Sequence, residues 1–319
     1  MKKSLEEQVK KITSFFEKNN DLYKAHALAA PVLKEMASDM DIFHKIIKKN
    51  LLGNNFLSLG RINPVIALEI NKNDYYTLVA NCWLPLPDKN PDTTHQSIHH
   101  HGNLLLTSVA PIGPGYSSVL FKKGYKINSD NITEMEIDKI YLNEKGSLEF
   151  IDTYTPHVVF YPQDFSVTYA LWSESSISGL GRWKKNPSLQ KYKKQIKKML
   201  GMIGMGKKVG LNVIEQFDFY PSEGKIISMK NRIMYPVASN ESFLKSLFYI
   251  FNKVGFRDYE FLKKLGTQKS KKEFEKFESL LNEYIAGKEF QSEFESSHLG
   301  IDKVNFSRKE LLRCFPSFT

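Results

Sequence analysis

Eight histidines occur in the 319-residue chain, and five of them fall between positions 95 and 157. Three are consecutive, in Ser97-Ile98-His99-His100-His101-Gly102. On an extended strand alternate side chains share a face, so His99 and His101 point one way and His100 the other. Two imidazoles so spaced can grip one metal ion, and the third ligand must come from a neighbouring strand. His157 is the candidate, in the β-rich run Thr155-Pro156-His157-Val158-Val159-Phe160. The intervening chain is long enough for roughly four strands, enough to travel round a small barrel. His95, in a Pro/Asp/Thr-rich loop, reads as a surface residue or a neighbour of the ligands. His26, His44 and His298 lie in helical or loop segments without such partners and read as structural.

The elements that must position these residues follow from periodicity. Residues 1–52 read as helices: Ser4 with Glu7 is a capping box, and Leu5, Val9, Ile12 and Phe16 recur on one face. Two further stripes, Leu28/Val32/Met36/Met40 and Ile42/Ile46/Ile47/Leu51, follow a turn near 19–21, and Gly53 stops the last. From residue 63 the texture changes to short β-rich runs at 65–70, 75–84, 104–110, 116–122, 148–151, 157–161 and 165–172. Turn residues separate them, including Gly113-Pro114-Gly115, which reads first as a hairpin turn and second as a lid. A helix is expected at about 186–200, a hairpin at 213–219 and 225–230, and helices again at 241–252, 271–286 and 307–313. Many short strands so spaced indicate a sandwich or barrel rather than a parallel βαβ sheet. The expected organisation is a helical segment over 1–62, a β-barrel over 63–235 and a helical segment over 236–319.

Residues 76–172 resemble a cupin barrel, and within cupins the thiol dioxygenases of the cysteine dioxygenase type. The resemblance rests on Asn81-Cys82-Trp83, on Ser97-Ile98-His99-His100-His101, on His157 and on the closing run Ser166-Val167-Thr168-Tyr169-Ala170-Leu171-Trp172-Ser173. It implies an α+β chain built on a double-stranded β-helix with helical extensions at both ends. It further implies a mononuclear iron(II) held by His99, His101 and His157, with dioxygen as co-substrate. The glutamate that cupins commonly carry just past the second histidine has no counterpart in 102–108, which favours three neutral ligands. The family's Ser, His and Tyr on the closing strand are here Thr168, Ala170 and Trp172, so free cysteine is not the expected substrate.

Three neutral imidazoles leave up to three adjacent positions on an octahedral ion. They also leave its full 2+ charge, which favours a small anionic chelator such as a thiolate or carboxylate. Oxygen insertion or oxidative cleavage is the expected chemistry. The same donors plus water also suit a zinc hydrolase or lyase, and nickel and manganese fit them too. Tyr169 and Trp172 are the candidate catalytic side chains, although Tyr169 shares its strand parity with Val167 and Leu171, which favours packing. Arg61 and Trp83 are the candidates for substrate binding, Arg61 because the resemblance implies a carboxylate-binding arginine and Trp83 as a wall of the pocket.

Composition bounds the alternatives. Apolar residues at 41% and charged residues at 25% exclude a disordered or collagen-like chain. No apolar run is long enough to span a membrane, the N-terminal Met-Lys-Lys-Ser-Leu-Glu-Glu is no secretory signal, and two distant cysteines make no disulfide framework. A soluble cytoplasmic protein is expected. The net charge of +10 is concentrated in residues 182–208, which hold Lys and Arg but no Asp or Glu. That segment is either a solvated helix face or a contact for an acidic partner, the latter suiting a non-catalytic cupin-like binding protein. Gly201-Met-Ile-Gly204-Met-Gly206-Lys-Lys lacks the phosphate-loop spacing and is rejected as one.

Overall fold

A computed structural model describes residues 3–59, 65–85, 92–94, 97–142, 144–175, 215–229, 239–291 and 306–315. Arg61, His95, His298 and the basic segment 182–208 lie outside the described residues, as does the helix expected at 186–200.

Three helices open the chain, α1 (Leu5–Lys18), α2 (Leu22–Ala37) and α3 (Met40–Leu52). α1 begins at the expected capping box: Ser4 Oγ accepts from the Glu7 amide, and the Glu7 carboxylate accepts from the Ser4 amide. Asp21 and Asp39 cap α2 and α3, and Gly53 follows the last turn of α3. The strands are β1 (Val65–Lys72), β2 (Thr77–Trp83), β3 (Thr93–Thr94), β4 (Ile98–His100), β5 (Leu104–Ile112), β6 (Ser117–Phe121), β7 (Lys126–Ile127), β8 (Thr133–Glu134), β9 (Ile137–Tyr141), β10 (Leu148–Ile151), β11 (His157–Phe160), β12 (Ser166–Glu174), β13 (Glu215–Tyr220), β14 (Lys225–Met229) and β15 (Phe306–Ser307). Helices Asn240–Val254, Tyr259–Lys264, Lys271–Ile285 and Arg308–Arg313 complete the described elements.

Two antiparallel sheets carry the barrel. The first runs β1-β2-β12-β5-β10 and the second β14-β13-β4-β11-β6-β9. From β4 to β13 the chain crosses between them at nearly every strand, which is the winding of a double-stranded β-helix. The chain is thus α+β with a cupin-like barrel and helical extensions at both ends. Among the described residues the sheets meet through side chains rather than through a continuous ladder.

Strand parity decides what each face does. On the first sheet Leu68, Ile70, Leu78, Ala80, Cys82, Leu105, Val109, Val167, Tyr169 and Leu171 face outward. They share one apolar core with α1–α3 and with the helices Asn240–Val254 and Lys271–Ile285. Both helical extensions therefore cover the same sheet. The outer face of the second sheet, with Ile98, Val119, Phe121, Val158, Phe160, Phe217 and Phe219, is covered by Phe306 and Leu311 from the C-terminal segment. Arg308 ties that segment down by an ion pair with Asp92 at 2.6 Å.

His26 shows the cost of joining a helix to a sheet through polar groups. Its ring is 1% exposed, with Nδ1 at 2.8 Å from Thr107 Oγ1 and Nε2 at 2.9 Å from Ser173 Oγ. Burial lowers its pKa to about 4. The unfolded chain therefore takes up this proton below about pH 6.5, while the folded chain resists until about pH 4. Stability should fall as pH drops through that window, by about 3 kcal/mol from this residue alone. Denaturant melts of His26→Leu should show a flatter stability profile between pH 6.5 and 4 than the parent, whatever its absolute stability. An equal slope would remove His26 as the cause.

Candidate metal centre

β4 and β11 pair antiparallel with His99 directly opposite His157. That single register brings a histidine from each end of a long stretch of chain onto one face of one sheet. His101, just past β4, joins the same face. The three ring centroids are 4.7–4.8 Å apart, and the candidate ligand atoms all lie within 4.8 Å of one another. The expected parity is present: His100 faces the other way, 1% exposed, with Nε2 at 3.5 Å from Glu215 Oε2 on the adjacent β13.

Hydrogen bonds fix which nitrogen His99 and His157 offer. His99 Nδ1 lies 2.9 Å from the Ser97 carbonyl, and His157 Nδ1 lies 3.0 Å from the Thr155 carbonyl. Each Nδ1–H donates to the carbonyl two residues back, so each Nε2 keeps its lone pair for the centre. His157 Nε2 and His101 Nε2 are 3.1 Å apart. His100 takes the reverse arrangement, with Nδ1 accepting from the Gly102 amide at 3.0 Å. Gly102, at φ +64°, turns the chain out of β4 immediately after His101.

Burial also keeps the rings neutral. It is the largest cause of the lowered pKa of His99, of His101 and of His157, the last falling to about 3. His99 and His157 further disfavour charge on His101, and His99 on His157. A proton is therefore a poor occupant of the centre, and a cation that accepts three lone pairs at once is a good one. The donor set suits a metal ion: nitrogens held at about 2.1 Å from one ion stand about 3.0–3.4 Å apart. The His101–His157 pair, at 3.1 Å, already meets that spacing.

The register also places the surroundings. His157 is opposite Leu120 on β6, and across the barrel Leu106 is flanked by Trp172 and Ile151. The Trp172 ring meets the His101 ring edge-on at 4.6 Å. Leu106, Leu120, Ile151 and Ala170 form one apolar cluster with Trp172 against it. The structure does not bring Tyr169 here. It is 0% exposed in the outer core beneath the helices, and burial raises the pKa of its hydroxyl, which has no hydrogen-bond partner among the described residues. Trp83 faces the interior but sits with Tyr116, Val159 and Tyr161, its Nε1–H donating to Thr168 Oγ1 at 2.9 Å. On the strand ladder Trp83 is opposite Ser166 while Thr77 is opposite Trp172. Trp83 is thus about 20 Å along the strands from the Trp172 end.

Sequence reasoning missed the two backbone carbonyls, which no residue type announces. It also missed Glu149, 1% exposed in the interior, because an acid was sought only just past His101. Its signal was present: a lone carboxylate among the apolar residues of Leu148–Ile151.

No protein-family profile matches the chain, and no curated protein matches its sequence. Solved structures do share part of it. One is the DMSP lyase DddQ from Ruegeria pomeroyi, at 9% identity over 38% of this chain and 50% of that one, TM-score 0.23. Another is Fe(II)-HppE, at 8% identity over 34% and 50%, TM-score 0.23. A third is the Cnp3 cupin domain of Schizosaccharomyces pombe, at 6% identity over 38% and 73%, TM-score 0.24. The chain spans about half the length of the lyase structures it matches. The overlap is loose, and the fold assignment rests on the strand order above. Among the described residues no helix is long and apolar enough to cross a membrane.

Removing any one of the three rings should abolish tight metal binding. In elemental analysis His99→Ala, His101→Ala and His157→Ala should each lose the metal and keep the fold. His100→Ala should keep the metal and lose roughly 2–4 kcal/mol of stability as its buried ring vacates the far face. Metal loss from His100→Ala equal to the others would refute the face assignment.

Proposed function

We propose that this chain is a mononuclear metal enzyme of the cupin type, an iron(II) oxygenase acting on a small anionic chelating substrate other than free cysteine. The observation that carries the proposal is the tautomer pattern. Two rings donate Nδ1–H to backbone carbonyls and aim Nε2 at a point shared with His101, a trio of neutral donors with no carboxylate in the group. When bound there, iron(II) would supply dioxygen activation and Lewis acidity.

The protein's own groups do the rest. His99, His101 and His157 hold the ion on one side and leave the other side open to ligands. The Ser97 and Thr155 carbonyls prevent the rings from rotating and make them better donors. Leu106, Leu120 and Ile151 keep water from the far side of the barrel, and Trp172 walls the pocket beside His101. With three uncharged ligands the ion retains its 2+ charge, so a thiolate or carboxylate is the favoured substrate group. The only hydroxyl at the aligned positions of the closing strand, Thr168, already accepts from Trp83. The cysteine-specific proton-handling set is therefore lacking, and a different thiol or carboxylate fits better.

Oxygen uptake tests this reading. Iron(II)-loaded protein, prepared anaerobically, should consume dioxygen only with a matching member of a panel of small thiols and carboxylates, and His157→Ala should consume none above background. Tight zinc binding with hydrolysis or elimination and no oxygen uptake would replace oxygenase with hydrolase or lyase. Metal-free protein that binds a polyanion in a salt-sensitive way would point to a binding protein that uses residues 182–208.

A further inference from the structure

β4 has two neighbours, β11 on one side and β13 on the other, and both registers bear on the histidines. Gln216 of β13 stands directly opposite His99, as His157 of β11 does on the far side. Residues directly opposite on neighbouring strands share a face. The row across the inner face of the second sheet therefore runs Gln216, His99, His157, Leu120. The residues on either side of Gln216 fix its parity. Glu215 meets His100 on the outer face, and Phe217 lies with Ile98 in the outer core. Two residues further along β13, Asp218 accepts from Ser97 Oγ at 2.9 Å, which ties β13 to β4 on the inner face as well.

Burial is graded along that row. Leu120 and His157 are buried, whereas His99, His101 and Gln216 are only half-buried. The histidine centre is thus closed toward β6 and more open toward β13, and a ligand that approaches from the open side passes Gln216. Donor chemistry changes along the row too. His99 and His157 give their Nδ1–H groups to backbone carbonyls and turn Nε2 toward the ion site, so neither ring has an N–H left for a bound ligand. A glutamine carboxamide has two N–H donors and no charge, so it can hold an anion without competing for the ion as a carboxylate would. Neighbouring strands stand about 5 Å apart, and the glutamine side chain is long enough to reach a ligand atom bound beside His99.

We propose that Gln216 is a substrate-binding residue whose carboxamide donates a hydrogen bond to a carboxylate oxygen of the molecule held by the ion. The inference rests on the metal-centre reading above and narrows it. Of the anionic groups that a 2+ ion attracts, the substrate must carry a carboxylate, placed on the β13 side of the centre. A hydrogen bond from a neutral donor to a charged oxygen at such a site strengthens binding by about ten- to a hundredfold.

The test uses protein loaded anaerobically with cobalt(II), whose visible spectrum reports ligands that join the ion. It is titrated with mercaptoacetate and, separately, with ethanethiol, which offers a thiolate without the carboxylate. Metal content and thermal melts are followed alongside. Gln216→Met keeps the length of the side chain and removes the amide. It should hold cobalt(II) and ethanethiol as the parent does and bind mercaptoacetate about ten- to a hundredfold more weakly. Unchanged mercaptoacetate affinity in Gln216→Met would overturn the proposal. Equal weakening for both probes would assign the effect to the shape of the site and overturn it too. So would a cobalt(II)-loaded parent whose spectrum does not respond to mercaptoacetate. A parent that takes up no metal would instead overturn the metal centre on which the inference stands.

Discussion

One backbone register, His99 of β4 opposite His157 of β11, is the constraint on which the rest depends. A shift of one residue in that short pairing would turn His157 to the outer face, since side chains alternate strictly along a strand. The register is secured from both flanks. β11 pairs with β6 over four residues, and β4 pairs with β13, where Glu215 meets His100. The outward-facing His100 thus helps to lock the strand whose other face carries the histidine centre. The helical extensions and the C-terminal segment press on the outer faces of the two sheets and leave the inner faces to chemistry.

Within the barrel, polarity is layered. The histidine layer is walled by Trp172 and closed by Leu106, Leu120 and Ile151, and the layer below holds Glu149, Ser108 and Ser118. Neutral rings give lone pairs without charge, and low-dielectric packing keeps protons off the imidazoles.

Much of this was legible in the sequence, for identifiable reasons. The capping box at Ser4, the stop at Gly53 and the apolar stripes of the N-terminal helices are local signals, and the helices form where they stand. The His-x-His pair and the third histidine were visible because period-2 alternation turns spacing directly into a shared face. Strand β9, Ile137–Tyr141, escaped notice because two of its five residues, Asp138 and Lys139, are exposed charges on an edge strand. The two-residue strands β3 and β15 pair with each other from far apart in the sequence, which no local signal announces. Glu149 was not singled out because hydropathy alone does not tell which face of β10 turns inward; the long-range pairing with β5 does. Tyr169, a candidate catalytic side chain by its strand, lies instead in the outer core with Val167 and Leu171, whose parity it shares.

The central claim is that three histidine nitrogens share one ion. X-ray absorption at the metal edge of protein loaded anaerobically with iron(II) tests it most directly. About three imidazole scatterers at about 2.1 Å are expected, with the remaining positions filled by light, exchangeable ligands. A spectrum with one imidazole or none, or one indistinguishable between the parent protein and His157→Ala, would contradict it.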